Sequence, residues 1–115
     1  DLHCHLDKLK KTVEESLADA SAAGVKKVVT IGTDPTDLPV VLGIAQKYYP
    51  QVFCTLGIHP HDGGSYTAEA EKFIRENLQR PEVIAVGEIG LDYYYEHSSV
   101  EDQKKAFRSQ LEIAQ

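Results

Sequence analysis

Residues 25–50 read VKKVVTIGTDPTDLPVVLGIAQKYYP and contain one complete strand-and-helix unit. Val25 to Ile31 is an apolar, β-branched run that predicts a strand, and a GTDP turn at residues 32–35 follows it. The helix after the turn carries an apolar stripe of Leu38, Val41, Leu42 and Ala45. A strand followed by a helix that can cover it predicts an α/β fold with parallel strands.

The same alternation occurs three more times along the chain. Further strands are predicted at Asp1 to His5, Val52 to Ile58 and Val83 to Glu88. The helix after the first strand is expected to begin with a capping box, Thr12 with Glu15, and to end at Gly24. The helix at residues 67–79 is expected to bury Ala70, Phe73, Ile74 and Leu78. The last helix is expected to open with Ser98 and Glu101 and to bury Val100, Phe107, Leu111 and Ala114.

The spacing of these units predicts part of a barrel. Strand starts near residues 1, 25, 52 and 83 give a repeat of roughly 25 to 30 residues, the size of a βα unit in a barrel or an open sheet. A closed barrel of eight units takes about 250 residues, whereas the chain has 115. We therefore expect residues 1–115 to form the N-terminal half of one (β/α)-barrel domain, truncated at both ends.

Composition excludes several classes of protein. Hydrophobic residues make up 42% and charged residues 26% of the chain, and no apolar run is long enough to span a membrane. Cys4 and Cys54 form no zinc-binding pattern and predict reduced thiols in a cytoplasmic protein. The net charge of −6 disfavours binding of nucleic acid by lysine and arginine alone. If the substrate is a nucleic acid, metal ions must supply much of the positive charge.

His3 and His5 are the first candidate metal ligands. Residues two apart in a strand point to the same side, so the two imidazoles project together and Cys4 points the other way. The carboxyl ends of parallel strands are where ligands bind in α/β proteins. Two surface or hydrogen-bonded histidines are the alternative interpretation.

Glu88 is the third candidate ligand. Alternation along the predicted strand puts Ile84, Val86 and Glu88 on one face, so a carboxylate ends a very apolar strand. A buried carboxylate without a partner is costly and tends to be paired or metal-bound. Its two oxygens allow it to bridge two metal ions. The alternative is a glutamate in a solvated loop.

Residues 57–61, GIHPH, form a third element at the same end of the strands. His59 is expected to share the strand face of Thr55 and Gly57 and is a candidate metal ligand or phosphate contact. His61 is a candidate substrate contact that could equally face solvent. Asp92 is a candidate for orienting a ligand or a water from outside the metal shell, with a turn or capping role as the alternative.

Tyr93, Tyr94 and Tyr95 follow the last strand. Such a run can stack on a base or sugar, although three consecutive tyrosines more often cover the top of a core. His97 is expected to be solvated.

Three motifs together resemble those of the TatD-related metal-dependent deoxyribonucleases of the amidohydrolase superfamily. They are DLHCHLD at residues 1–7, GIHPH at residues 57–61 and GEIGLDY at residues 87–93. The resemblance implies a TIM-type barrel and hydrolysis of DNA phosphodiesters from the 3′ end by two divalent metal ions, Mg²⁺, Mn²⁺ or Zn²⁺. It implies that His3 and His5 hold one ion, that Glu88 bridges both, and that His59 contacts the phosphate.

The chain departs from the family pattern in two ways. Leu2 stands where the family usually has a small residue. Two further histidines and an aspartate, which the family's later half supplies as ligands and general base, do not occur in these residues, so the 115-residue chain by itself is expected to be inactive. A small-molecule amidohydrolase of the same superfamily is the alternative function, although it often carries a bridging lysine where this chain has Glu88.

Overall fold

The computed structural model describes residues 1–115 and contains one parallel three-stranded sheet in the order β1-β2-β3. The strands are β1 (Val28–Ile31), β2 (Val52–Leu56) and β3 (Val83–Val86). The helices are α1 (Val13–Ala22), α2 (Leu38–Tyr48), α3 (Ala68–Asn77) and α4 (Val100–Ala114), with 3₁₀ turns at Leu6–Lys8 and Pro60–Ser65. None of the helices has the length and apolar character needed to cross a membrane.

The N-terminal segment lies along the free edge of β1. Cys4 donates its N–H to the Val29 carbonyl at 3.1 Å and accepts from Ile31 at 2.9 Å, while Val29 donates to the Asp1 carbonyl at 2.9 Å. The only ladder pair is the parallel bridge between Cys4 and Thr30. The predicted strand from Asp1 to His5 is therefore reduced to one bridge, and a 3₁₀ turn begins directly after it at Leu6.

The other strands are also shorter than predicted at their ends. β1 begins at Val28 rather than Val25, and the two lysines between these positions are exposed. Beyond Leu56, the backbone N–H of Ile58 donates to the Gln110 side chain at 2.7 Å instead of to a strand. Beyond Val86, the N–H of Glu88 donates to the Gly32 carbonyl at 2.9 Å. Loop contacts thus replace the ladder where the candidate site begins.

Local sequence signals fix the ends of α1 as predicted. The Thr12 side chain accepts from the Glu15 N–H and the Glu15 side chain accepts from the Thr12 N–H, which completes the capping box. At the other end, Gly24 has φ +87°. The Gly24 N–H donates to Ser21 and the Val25 N–H donates to Ala20, a Schellman motif that satisfies two terminal carbonyls.

The core lies between the sheet and the helices. The predicted stripe of α2 is buried in full: Leu38, Val41, Leu42 and Ala45. These side chains pack in one cluster with Val52, Cys54 and Leu56 of β2. In α3, Ala70 and Ile74 are buried, and Phe73 and Leu78 pack at the margin of the cluster. Helix packing therefore covers one face of the sheet, as the alternating pattern predicts.

The buried face of α4 differs from the prediction. The helix begins after Ser99, which accepts from the Asp102 N–H, and not with Ser98 and Glu101. Leu111 is 43% exposed and Ala114 is exposed, although both were expected inside. The buried residues are Gln103, Ala106, Gln110 and Ile113. The side-chain amides of the two glutamines bond to loop backbones, so the face that carries them is turned inward instead of the predicted apolar face.

Gly57 is a place where two loop backbones approach closely. A Cβ added there would lie 2.6 Å from the carbonyl carbon of Gly87. We therefore expect Gly57→Ala to lower the free energy of unfolding by about 1–3 kcal/mol. Gly43→Ala is the matched control, because a Cβ in that part of α2 meets no atom within 4 Å; it should stabilise by about 0.5–1 kcal/mol. Equal urea midpoints for the two variants would contradict the close approach.

Candidate metal centre

His3 and His5 lie on the edge segment beside β1. The His3 N–H donates to the Asp1 carboxylate at 3.0 Å, and the Leu6 N–H donates to the Thr30 hydroxyl at 3.2 Å, so the backbone on both sides of the pair is anchored. The two imidazole rings are 5.2 Å apart at 78°. Cys4 points away from them, packs against the core and donates its thiol to the Val29 carbonyl, which confirms that it is outside the site.

Glu88 lies two residues beyond the end of β3, in the loop. The N–H of Gly87 donates to Leu56 at 3.0 Å and that of Glu88 donates to Gly32 at 2.9 Å, so the loop is tied to the ends of β1 and β2. The sequence argument for Glu88 was wrong in two respects. Ile84 is 52% exposed whereas Val86 packs on the core, because the β2–β3 register shifts between Cys54 and Thr55.

The second error concerns burial. The Glu88 side chain is 35% exposed, so the cost of burying a carboxylate does not apply to it. The close approach of the three candidate ligands is a stronger argument for a metal site than burial. One ligand atom each from His3, His5 and Glu88 lies within 4.8 Å of the others. Glu88 Oε2 is 3.7 Å from His3 Nε2 and Oε1 is 3.6 Å from His59 Nε2, so each oxygen faces a different histidine.

The donor set fits a divalent metal ion. His5 Nδ1 is buried and has no hydrogen-bond partner, which leaves a polar atom available to an ion. Imidazole nitrogen suits Zn²⁺, and a carboxylate suits Mn²⁺ or Mg²⁺ as well. Three protein donors leave coordination positions for water or substrate, as catalytic metal sites require.

His59 lies beside this group and is held in one tautomer. The His59 backbone N–H donates to the Thr33 carbonyl at 2.7 Å, and the ring Nδ1 accepts from the His61 backbone N–H at 3.1 Å. Because Nδ1 accepts, the proton of the neutral ring lies on Nε2, which faces Glu88. Burial lowers the pKa of His59 from its ordinary value, although the Glu88 carboxylate opposes the shift. The ring therefore presents an N–H donor toward the site near neutral pH.

His61 and Asp92 form a pair. His61 Nε2 lies 2.7 Å from Asp92 Oδ2, so His61 is bound to a carboxylate rather than free in solvent. Asp92 Oδ1 accepts from the N–H groups of Tyr94 and Tyr95, which also gives Asp92 the turn role. These backbone bonds, the one from Tyr95 first, and the bond to His61 lower the pKa of Asp92. The Asp92 carboxylate thus orients the His61 ring.

Two buried glutamines position the loops that carry these residues. Gln110 accepts from the Ile58 N–H at 2.7 Å and donates to the Ile58 carbonyl at 3.2 Å. Gln103 accepts from the Asp92 N–H at 2.8 Å and donates to the Asp92 carbonyl at 3.0 Å. The sequence analysis missed both, because polar residues on a helix are ordinarily exposed. Their spacing of seven residues, in register with Ala106 and Ile113, was the available signal.

The tyrosine run does not cover a core. Tyr93, Tyr94 and Tyr95 are 51%, 86% and 64% exposed. His97 is exposed, as predicted. Neither cysteine is activated as a nucleophile: burial raises the pKa of Cys54 to about 12 and also raises that of Cys4.

A parallel sheet covered by helices, with two histidines and a glutamate brought together at its edge, defines an α/β protein with a candidate metal centre. The chain belongs to the TatD related DNase family, whose sequence profile matches residues 1–115.

Relatives and solved structures agree with this assignment. The chain is 38% identical over 104 residues to the 3′-5′ ssDNA/RNA exonuclease TatD of Salmonella typhimurium, covering 90% of the chain and 40% of that protein. It is 31% identical to the uncharacterized metal-dependent hydrolase YabD of Bacillus subtilis, covering 99% of the chain and 45% of that protein. The chain thus spans less than half the length of these relatives.

Structural comparison establishes the fold. The crystal structure of YJJV, a TatD homologue from Escherichia coli K12, matches with a TM-score of 0.86 at 31% identity, covering 99% of this chain and 45% of that one. A hydrolase TatD family protein from Entamoeba histolytica matches with a TM-score of 0.72 at 22% identity, covering 96% of this chain and 43% of that one. The predicted fold class, part of a TIM-type (β/α) barrel, is confirmed.

Proposed function

We propose that residues 1–115 form one wall of the active site of a metal-dependent nuclease that hydrolyses phosphodiester bonds in single-stranded DNA or RNA from the 3′ end. The convergence of His3, His5 and Glu88 within 4.8 Å is the observation that carries this proposal. The names of relatives as a 3′-5′ ssDNA/RNA exonuclease and a metal-dependent hydrolase support the substrate and the reaction. They also extend the predicted substrate from DNA to RNA.

In this proposal His3 and His5 would hold one divalent ion, and Glu88 would be shared between it and a second. Each Glu88 oxygen lies near a different histidine, His3 or His59, which supports this shared role. When bound, such ions polarise the phosphoryl oxygen and lower the pKa of a water molecule toward neutrality. Mg²⁺, Mn²⁺ and Zn²⁺ are all compatible with the donors.

The neighbouring histidines act on the substrate phosphate. His59 directs an Nε2–H donor toward the space beside Glu88 and is suited to bind a phosphate oxygen. His61, held by Asp92 at 2.7 Å, is a second substrate contact beside it. Since the chain carries a net charge of −6, metal ions rather than lysine and arginine provide most of the attraction for a polyanion. We further propose that the domain is one part of a single barrel and works in the cytoplasm.

Two measurements test the function. Equilibrium dialysis of the 115-residue chain against Mn²⁺ or Zn²⁺ should give stoichiometric binding in the micromolar range. The whole protein, incubated with 5′-labelled single-stranded DNA and RNA, should shorten both from the 3′ end, and EDTA should stop the reaction. The 115-residue chain by itself should show little or no hydrolysis.

Three outcomes would overturn the proposal. They are a chain that binds neither metal, hydrolysis by the whole protein that persists in EDTA, and a whole protein that cleaves small esters or lactones but leaves nucleic acid intact.

A further inference from the structure

We propose that Tyr94 and Tyr95 form a stacking surface for the bases of a single-stranded nucleic acid whose phosphates pass His59 and His61. This inference rests on the proposed nuclease function and adds a base-binding site to it. The starting observation is exposure. Tyr94 is 86% and Tyr95 64% exposed, so two large aromatic rings remain in solvent beside the candidate metal centre. Aromatic faces bind bases of any sequence, because every base has a π-face.

The backbone under the two rings is fixed. Asp92 Oδ1 accepts from the Tyr94 N–H at 3.0 Å and from the Tyr95 N–H at 3.1 Å. Asp92 is in turn held by Gln103, which bonds both its N–H and its carbonyl. The exposed rings therefore project from an ordered turn, and binding a base costs little ordering of the loop.

The rings also fix one another. Tyr94 and Tyr95 meet edge to face, with centroids 4.8 Å apart at 86°. His97 lies parallel to Tyr95 at 10°, with centroids 6.0 Å apart. The perpendicular contact occupies a face of only one of the two tyrosines and His97 lies over Tyr95, so Tyr94, which is 86% exposed, offers the more open ring to a planar ligand.

The stacking surface is continuous with the site. Tyr95 lies 5.9 Å from the His61 ring, and His61 lies 4.4 Å from the His59 ring. His59 Nε2 is in turn 3.6 Å from Glu88. A line of rings thus leads from the candidate metal centre outward to the tyrosines, so a strand held at its phosphates by the histidines has its bases beside Tyr95 and Tyr94.

The charge of this loop indicates whether it contacts the phosphates or the bases of a nucleic-acid strand. Residues 87–99 contain Glu88, Asp92 and Glu96 and no lysine or arginine. Glu96 directly follows Tyr95, and the loop offers no lysine or arginine to a phosphate there, so the tyrosines are better suited to bind uncharged bases than the backbone. A paired duplex has its bases stacked inside, which restricts this surface to single strands.

The test compares strands with and without bases. Fluorescence anisotropy measures binding of the 115-residue chain to a labelled phosphorothioate decathymidylate and to the same strand with abasic residues. Tyr94→Ala and Tyr95→Ala should each weaken binding of decathymidylate roughly fivefold to one-hundredfold, whereas the phenylalanine variants should bind like the wild type. The abasic strand should bind the wild type at least as weakly as decathymidylate binds either alanine variant.

Controls separate this proposal from the nuclease function. Tyr49→Ala removes an exposed tyrosine outside this loop and should leave binding unchanged. Circular dichroism checks that each variant is folded, and Mn²⁺ dialysis of Tyr94→Ala should equal that of the wild type. Any of four results would overturn the stacking surface. They are equal affinity for the two strands, no effect of either alanine variant, no binding of either strand, and displacement of decathymidylate by the cation tetramethylammonium but not by thymidine. Hydrolysis by the whole protein tests the nuclease function independently.

Discussion

Glu88→Gln is expected to weaken binding of Mn²⁺ and Zn²⁺ by at least about 100-fold, since losing a hydrogen-bond partner of a metal ligand already costs roughly 10- to 100-fold. The amide keeps the size of the side chain but has no charge and offers one oxygen. It therefore cannot reach toward His3 and His59 with two oxygens as the carboxylate does. Isothermal titration calorimetry of the 115-residue chain gives the affinities, and 3′ nucleotide release by the whole protein should be lost.

The control for this substitution is Glu76→Gln, which makes the same change on the exposed surface of α3. It should alter neither the metal affinity nor the free energy of unfolding beyond about 0.5 kcal/mol. Glu88→Gln should also remain folded, because the carboxylate is partly exposed and belongs to no core cluster. If Glu88→Gln binds metal as tightly as the wild type, the proposed centre is wrong.

Gln110→Leu is expected to lower the free energy of unfolding by about 2–5 kcal/mol, a large part of the roughly 5–15 kcal/mol that stabilises a domain. Leucine has a similar volume, so packing changes little. However, the N–H and the carbonyl of Ile58 lose the only side chain that pairs with them and remain buried. An unpaired buried backbone group costs about 1–3 kcal/mol. Urea denaturation followed by circular dichroism measures the loss.

Two variants sharpen this test. Gln110→Glu keeps an acceptor for the Ile58 N–H but removes the donor to the Ile58 carbonyl, so it should also destabilise the protein, most strongly at neutral pH where the buried carboxylate is charged. Gln79→Leu, on the exposed end of the α3 region, should change stability by less than about 0.5 kcal/mol. Equal stability of Gln110→Leu and the wild type would show that Ile58 finds another partner.

Local patterns in the sequence identified the parts of the fold that depend on neighbouring residues. The α2 stripe, the Thr12 capping box and the turn at Gly24 lie where they were predicted. Each depends on contacts within a few residues, or on one apolar face that a helix must bury. The predicted buried face of α4 was wrong, because the burial of Gln110 instead of Leu111 depends on the Ile58 backbone, which is distant in sequence.

The position of Glu88 depends on contacts that strand alternation does not describe. Strand alternation predicted its direction, but the register shift in β3 breaks that alternation, and the carboxylate is not buried. Two backbone hydrogen bonds position it: the Glu88 N–H donates to the Gly32 carbonyl, and the Gly87 N–H donates to the Leu56 carbonyl. For the tyrosine run, the more common role of covering a core was wrong. The loop leaves all three rings exposed.

The sequence by itself determined the α/β class, the order of strands and helices, and three motifs whose histidines and glutamate are candidate ligands. Hydrophobic period and capping chemistry are local properties, so they can be read along the chain. Only the tertiary structure decided that His3, His5 and Glu88 lie within 4.8 Å of one another. It also decided that two buried glutamines hold the site loops and that Tyr94 and Tyr95 face solvent, because these features depend on hydrogen bonds between residues far apart in sequence.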